Sequence, residues 1–545
     1  MKHSLVAGIC GLLLCLATFA SARLEAPCRV TLRLVDSQTG ETLPGLIRIA
    51  GRAGKPIDVP VAADAQGSVH ELLSRGLGLK DQPAIERWSV VTGQVTLQLP
   101  RETLAIEAFS GLETEIASKT LDLTGLEEIH VVIPLTRFYD AAARGMRSAN
   151  THLHLMKLSR EQADRYLIEV PQADRLDVLF VSYLERAKAD HDYITNRYSP
   201  ADLARLAQVS GTVFGNGEEH RHNFSAMGQG YGHVMLLDIP RLIQPVSIGP
   251  GITNAGTDGL PLQRGIDQAR RDEATVIWCH NDWGLERIAN QVTGRLDAQN
   301  IFDGGIDEHG SYKDSFYRGL NAGLKVPFST GTDWFMYDFS RTYTKLTEPL
   351  TARSWLKALA AGRSYITNGP FLEFQVAGRE PGERVKLDQP GSVAVVARGV
   401  GRVDFQRLEL IQNGRVIRAQ TSRPDAGHFV AELRFDLALT APCWLALRTP
   451  PPPVKGDIDP SDSVSMNEYG QPLFAHTSAV DVEVEGRTHF DRTVALGLLT
   501  EMRDGLRTID EQAQFADDTE KARVIDVYHD AIAEFERRLA ADRRK

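Results

Sequence analysis

The sequence predicts a multidomain protein of the α/β plus β class, in which a distorted seven-stranded α/β barrel lies between two β-sandwich-like domains and is followed by a helical tail. Three observations predict it. Short alternating apolar runs broken by turns occupy residues 23–140 and return over 371–486, a pattern typical of half-buried strands. Over 141–370, apolar strand-like runs alternate with amphipathic helical stretches, as in parallel barrels. Residues 487–545 are helical in pattern throughout.

The first 22 residues have the pattern of a secretion signal. Lys2 supplies the positive charge, residues 5–19 are nearly all apolar, and Ala20-Ser21-Ala22 fits a signal peptidase site. The apolar run is short for a membrane span, and no later segment is apolar enough for one. We therefore expect an exported protein, periplasmic or extracellular, without a membrane anchor.

Composition places the chain among ordinary globular proteins. It has 545 residues, 42% hydrophobic and 24% charged, enough for about three domains. A net charge of −10 without a long basic run argues against nucleic acid as a partner and leaves a small-molecule substrate as the expected ligand. After cleavage Cys28, Cys279 and Cys443 remain, an odd number that does not form a disulfide scaffold. No pattern indicates an oligomeric state.

The flanking regions have their own signals. Residues 30–35 and 46–49 alternate between apolar and polar positions, and in the second β-region Asn413-Gly414 separates two such runs, which predicts a hairpin. In the tail, apolar residues recur at spacings of three and four, predicting one buried stripe that packs on the body or on a partner subunit. They are Val524, Tyr528, Ile532, Phe535 and Leu539.

The central region contains seven candidate strands that alternate with helices. One helix is expected to begin after Ser199, because Ser199-Pro200 is an N-cap followed by proline. The expected helices include 199–208, 262–271 and 351–361. The expected strands are 151–155, 178–183, 212–215, 233–237, 275–280, 326–330 and 364–367.

Histidine and acidic residues recur at the ends of these strands. Thr151-His152-Leu153-His154 places two imidazoles two residues apart, on one side of a strand. Further candidates follow in four more barrel segments: Glu218 and Glu219 in an expected loop after 212–215, His233, His280 with Asp282, and Asp333.

These donor types predict a metal centre. Imidazole and carboxylate without thiolate suit Zn, Mn or Fe, and Cys279, which precedes His280, is expected to face the core. Each residue alone has a structural interpretation: a hydrogen-bonded histidine, a solvated glutamate pair, or turn chemistry for Asp333. Their joint recurrence at successive strand ends favours a metal site, where coordination lowers the pKa of water to about 7.

At these residues the chain resembles the CehA/McbA-type metallohydrolases, a branch of the PHP (polymerase and histidinol phosphatase) superfamily. Two further stretches carry the resemblance: Gly-Arg-Ser-Tyr-Ile-Thr-Asn-Gly-Pro at 362–370 and Phe-Ala-His-Thr-Ser at 474–478. The resemblance covers most of the mature chain. It implies a distorted seven-stranded (β/α)7 barrel similar to the TIM barrel, bound divalent metal and hydrolase activity.

The resemblance also implies a ligand set. His152, His154, Glu219 and Asp333 would hold one ion, and Glu219 would share a second ion with His233 and His280. Glu219 is preferred to Glu218 because the family's glutamate stands two residues after the glycine, here Gly217. Glu219 and Asp333 are accordingly also the expected catalytic residues.

Two positions depart from the family pattern. An expected Thr-Asp-His is Ser182-Tyr183-Leu184 here, and a closing Asp-x-His is Asp333-Trp334-Phe335. Both losses fall where fuller members would hold a further metal, so we predict one or two ions rather than three. Asp190-His191 is a substitute that stands about seven residues too late.

The predicted function is an exported hydrolase that uses metal-bound hydroxide on an ester, carbamate or phosphoester. One alternative is a catalytically decayed barrel that acts as a binding protein, motivated by the two lost ligand positions. Another is an amidohydrolase-type barrel enzyme with Glu219 in place of its bridging lysine. The expected pocket residues are Tyr183, His220, His222, Trp334 and Phe335.

Overall fold

The structure is a computed structural model. It describes residues 26–51, 54–57, 69–71, 88–186, 190, 193–224, 229–253, 256–303, 310–336, 338–454 and 463–542. The predicted secretion signal and His191 lie outside the described residues. Within the described part, helices capable of spanning a membrane are absent.

The N-terminal region is built from two sheets around a shared apolar core. In one sheet β1 lies between β5 and β8, pairing antiparallel with β5 and parallel with β8; the other has the order β3-β4-β2-β6-β7. Val30 and Leu97 of the first sheet pack with Ile47 and Ile106 of the second. The strands are β1 (Cys28–Asp36), β2 (Gly45–Ala50), β3 (Val69–Glu71), β4 (Ser89–Val91), β5 (Gln94–Leu99), β6 (Thr103–Phe109), β7 (Ala117–Asp122) and β8 (Glu128–Leu135).

The central region is mixed α/β, with a large curled sheet. β9 pairs in parallel with both β10 and β17, so the C-terminal ends of these strands meet at one edge. The strands are β9 (Met146–His154), β10 (Val178–Tyr183), β11 (Val213–Asn223), β12 (Gln229–Leu237), β13 (Ser247–Ile248), β14 (Thr275–Trp278), β15 (Ala298–Asn300), β16 (Phe328–Ser329), β17 (Asp333–Trp334), β18 (Arg341–Lys345) and β19 (Ser364–Thr367).

The expectation of an all-parallel barrel is wrong at β12. This strand runs antiparallel to both β11 and β14. The reason is the length of β11, which continues through the segment expected as a loop and ends at Asn223. The connection to β12 is then too short for a crossover helix, and only a hairpin-like return is possible.

Within the described residues seven α-helices accompany this sheet, and three of them begin at a side-chain cap. Ser159, Ser199 and Thr351 each accept a hydrogen bond from the backbone three residues on, in a capping box. The predicted cap at Ser199 with Pro200 as the first helical residue is confirmed. The helices are α1 (Arg160–Asp174), α2 (Pro200–Ser210), α3 (Pro250–Thr253), α4 (Gln263–Arg271), α5 (Arg287–Val292), α6 (Arg318–Asn321) and α7 (Ala352–Ala360).

The C-terminal β-region continues the central sheet. β28 pairs with β19 and with β27, and a separate sheet has the order β20-β22-β26-β25. The predicted hairpin at Asn413-Gly414 joins β23 to β24. The strands are β20 (Phe371–Val376), β21 (Arg384–Leu387), β22 (Gly391–Gly401), β23 (Arg407–Gln412), β24 (Arg415–Thr421), β25 (Arg423–Asp425), β26 (His428–Leu439), β27 (Cys443–Arg448), β28 (Ala475–Thr477) and β29 (Val480–Val484).

The two motif stretches at 362–370 and 474–478 meet at this junction. The Asn368 side chain donates to the carbonyl of Pro472 and accepts from the amide of Phe474, each at 2.8 Å. The hydroxyls of Ser364 and Ser478 are 2.9 Å apart. These motifs therefore join the central sheet to the C-terminal strands.

The tail forms a helical hairpin, α8 (Arg492–Gln512) and α9 (Asp518–Asp542), that packs on the central region. Leu498, Tyr528 and Phe535 lie in one apolar cluster with Val234 of β12 and Val276 of β14. The predicted stripe thus packs on the body of the same chain.

Candidate metal centre

The last residues of β9 place two imidazoles side by side. His152 and His154 alternate onto the same side of the strand, as period-two geometry requires. Both side chains are fully buried, and their Nε2 atoms are 3.1 Å apart. Two buried ring nitrogens at this distance could both bind one metal ion.

Glu219 and Asp333 bring two carboxylate oxygens to the same point. Oε2 of Glu219 is 3.3 Å from Nε2 of His154, and Oδ1 of Asp333 is 3.3 Å from Nε2 of His152. The two diagonal distances are 3.8 and 3.9 Å. Four ligands at about 2.1 Å from a tetrahedral ion lie about 3.4 Å apart, so these four atoms have the spacing of one coordination shell.

The other oxygen of Glu219 faces a second pair of imidazoles. Oε1 is 3.1 Å from Nδ1 of His233 and 3.4 Å from Nε2 of His280. Nδ1 of His233 is buried and forms no hydrogen bond with a described residue. A buried ring nitrogen that faces a carboxylate oxygen without forming a hydrogen bond to it fits a cation between the two atoms. The donors therefore fit one metal ion in each of two ligand sets that share Glu219. The first set is His152, His154, Glu219 and Asp333, and the second set is Glu219, His233 and His280.

Three neighbours orient the candidate ligands through their remaining ring nitrogens. Asp303 lies 2.9 Å from Nδ1 of His152, the Ser182 carbonyl 3.0 Å from Nδ1 of His154, and Oδ1 of Asn223 3.2 Å from Nε2 of His233. Such contacts select the tautomer that leaves the other nitrogen free for a metal.

Asp303 was missed by the sequence reasoning. Besides His152, it accepts from the backbone N–H of His280 and from the Asn300 side chain. It follows β15, which has only three residues. The available signal was an aspartate just after a short apolar run, the same pattern that marked Asp333.

The backbone at the cluster enters the left-handed region at three residues. His280, Asn281 and Asp333 have φ values of 54°, 60° and 57°, a conformation that Asn and Asp adopt readily and that costs a residue such as histidine about 1 kcal/mol or more. At Gly331 a Cβ would lie 2.6 Å from the backbone nitrogen of His152. Only glycine lets the segment between β16 and β17 approach β9 this closely.

The charges at the cluster shift the pKa values of its members. Burial opposes the charged form of His280, but Asp303, Glu219 and Asp333 outweigh it and raise its pKa to about 10. Burial likewise opposes the charged form of Glu219, yet Arg221 and the surrounding imidazoles hold its pKa well below the usual value. The proton that His280 keeps at neutral pH thus offsets part of the carboxylate charge in the metal-free protein, as a metal cation would do in the loaded one.

His233 behaves differently from His280. Burial, and then the nearby guanidinium of Arg221, hold the pKa of His233 well below the ordinary value. The neutral imidazole is the form that binds metal, so this side chain is ready to coordinate at neutral pH.

Three of the predicted pocket residues, Tyr183, Trp334 and Phe335, lie in different surroundings. Trp334 lies with its ring centroid 5.3 Å from that of His154, and the half-buried Tyr183 hydroxyl donates to Glu185. Phe335 is buried against Tyr166. Trp334 is thus beside the cluster, whereas Phe335 packs in the core.

His220 and His222 are not brought to the cluster. They alternate with Glu219 along β11 and project from the opposite face. His220 contacts Glu218 at 3.0 Å, and His222 contacts Asp258 at 2.9 Å. Asp258 also accepts from the backbone N–H of Gln514, so His222 belongs to the contact between the sheet and the helical hairpin.

Two further candidates lie outside the ligand set. Asp190 accepts hydrogen bonds from the Arg186 guanidinium at 2.9 and 3.2 Å and so is an ion-pair partner. Cys279 is buried in an apolar cluster, as expected, although its sulfur lies near His152 and Asp303. Burial raises the pKa of this thiol well above its usual value, which keeps it neutral.

Comparisons with known proteins add little to this geometry. No protein-family model and no curated protein matches the chain. A two-domain protein from Bacteroides vulgatus ATCC 8482, described as containing a predicted PHP-like metal-dependent phosphoesterase, is similar over 56% of this chain and 90% of its own, with 12% identity and a TM-score of 0.31. An engineered protein is similar over 57% of this chain and 50% of its own, with 11% identity and a TM-score of 0.15. At these TM-scores neither likeness supports an argument about the chain, which is characterised by a buried His/Glu/Asp cluster that could hold metal.

Proposed function

We propose that this chain is a metal-dependent hydrolase whose two ions share Glu219. The observation that carries the proposal is the division of this carboxylate, with Oε2 facing His152, His154 and Asp333 and Oε1 facing His233 and His280. A carboxylate between two sets of nitrogen donors is the arrangement by which two ions are held a few Å apart.

Bound ions would activate a water molecule as nucleophile and polarise the bond under attack. The chain's own residues hold this chemistry in place. Asp303 and the Ser182 carbonyl fix the rings of His152 and His154, and the left-handed backbone aims Asp333 and His280 into the cluster. His280 and Asp333 are the least buried members, with 25% and 15% of their side chains exposed, so substrate would approach from their side.

The type of bond hydrolysed, the export of the protein and the identity of the metal are also proposals. The motif resemblance to CehA/McbA-type enzymes of the PHP superfamily supports hydrolysis of an ester, carbamate or phosphoester, and the N-terminal pattern supports export. The donor set supports zinc, manganese or iron.

The proposal is tested by metal content. Wild-type protein loaded with Zn or Mn and freed of excess metal is expected to hold about two equivalents, and His280→Ala about one, because only the second set loses a ligand. His130→Ala is the matched control, since its side chain is 76% exposed on the N-terminal region. Wild-type protein that retains no metal, or a His280→Ala variant that retains as much as wild type, would contradict the proposal.

A further inference from the structure

Arg221 is a buried cation beside the candidate metal centre. It stands two residues after Glu219 on β11 and therefore shares its face. The residue is only 8% exposed. Its guanidinium makes one hydrogen bond to a described residue, a long one of 3.5 Å from Nη1 to Oε2 of Glu219, and its Nε has no partner among the described residues.

Few interactions compensate the energetic cost of burying this charge. A guanidinium can donate five hydrogen bonds, and burying a charge without a partner is costly. Arg186, also near the cluster, shows the contrast, because Asp190 satisfies it with two bonds. Among the described residues Arg221 has no equivalent carboxylate of its own, since Glu219 is shared with four imidazoles.

Metal binding would leave Arg221 still less satisfied. Once both oxygens of Glu219 bind cations, Oε2 becomes a poor acceptor and the ions repel the guanidinium. Two divalent ions bring four positive charges and Arg221 a fifth, against the three carboxylates of Glu219, Asp333 and Asp303, so about two positive charges remain in a largely buried space. A bound dianion would neutralise them.

We propose that Arg221 binds an oxyanion of the substrate next to the metal centre, and that it selects a doubly charged phosphoryl group over neutral esters and carbamates. This inference rests on the proposed function. The planar guanidinium suits two oxygens of one anion. Its Nε, which has no partner in the part of the chain that the structure describes, supplies one of the two donors. A carboxylate offers the same paired oxygens with one charge fewer.

The test compares Arg221→Gln and Arg221→Lys with the control Arg165→Gln, which removes an equal charge from a side chain that is 49% exposed on α1. Metal content is measured first. Binding of inorganic phosphate and of acetate to the metal-loaded proteins is then measured by calorimetry, and hydrolysis of 4-nitrophenyl phosphate is compared with that of 4-nitrophenyl acetate.

Arg221→Gln is expected to keep its metal and to bind phosphate roughly 10- to 100-fold more weakly, with KM for the phosphoester rising by a similar factor and the acetate ester little affected. Arg221→Lys should recover part of the loss. Equal phosphate binding in Arg221→Gln and wild type, loss of metal from Arg221→Gln, or acetate binding as tight as phosphate would each overturn the inference. Metal-loaded wild type that binds no phosphate overturns this inference alone, whereas wild type without metal overturns the proposed function and this inference with it.

Discussion

Asp303 provides a sharp test of the cluster because it touches the candidate ligands without belonging to the shared shell. Asp303→Asn keeps the size of the side chain and removes its charge. The 2.9 Å contact with Nδ1 of His152 then loses its charge assistance, and the bond from the backbone of His280 is weakened. Removal of such an orienting carboxylate costs about 10- to 100-fold in metal affinity, or about 1.4–2.8 kcal/mol.

The assay is a competition titration in which a chelator of known affinity removes Zn from the protein. Asp267→Asn is the control, because this residue of α4 is paired with Arg295, outside the cluster. Thermal unfolding of the metal-free proteins shows whether the fold is retained. If Asp303→Asn binds Zn as tightly as wild type, His152 does not depend on Asp303 for its orientation, and the reasoning from the ring contacts fails.

Three further predictions concern protonation, packing and backbone. The folded pKa of His280, about 10, lies above its unfolded value, so its imidazolium stabilises the metal-free protein fully below about pH 6.5, and this contribution fades as pH rises through 10. Zn binding at pH 8 should therefore release protons, which calorimetry detects as a binding heat that depends on the buffer. A binding heat that is independent of the buffer would refute this prediction. Phe535→Ala should destabilise the protein by about 3–5 kcal/mol in urea unfolding, because Phe535 is fully buried between the tail and the sheet. The control Leu496→Ala should change the free energy of unfolding little, because Leu496 is 43% exposed. Equal losses of stability in the two variants would contradict the packing of the tail on the sheet. Gly331→Ala should lower the metal content, because its Cβ would lie 2.6 Å from the His152 backbone nitrogen. The control Gly497→Ala should keep its metal, because a Cβ at that position meets nothing within 4 Å. Unchanged metal content in Gly331→Ala would show that the close approach of this segment to β9 is not needed for metal binding.

The sequence was most informative where periodicity and chemistry agree. β10 and β19 have the bounds expected from their apolar runs, and the cap at Ser199 was visible as a dipeptide. Four candidate ligands could be predicted because each stands at or just beyond the end of an expected strand: His152, His154, Glu219 and Asp333. Their convergence within one shell depends on pairing between distant strands, which the resemblance, rather than spacing, suggested.

β11 was the hardest element to predict. Its second half, 217–223, carries charged and polar residues on both faces, which by pattern indicates a loop. In the structure both faces are buried: Glu219 and Arg221 face the cluster, and Glu218, His220 and His222 pair with partners on the other side. Because those partners come from distant segments, local sequence could not reveal them, and the antiparallel course of β12 was missed for the same reason.

Glu219 is proposed to be a carboxylate shared by two ions, and anomalous diffraction from crystals of the Zn- or Mn-loaded protein tests this most directly. We predict two anomalous peaks, one among His152, His154 and Asp333 and the other beside His233 and His280, each in contact with a different oxygen of Glu219. A single peak, or two peaks of which one lies away from Glu219, would contradict the sharing of Glu219 by two ions.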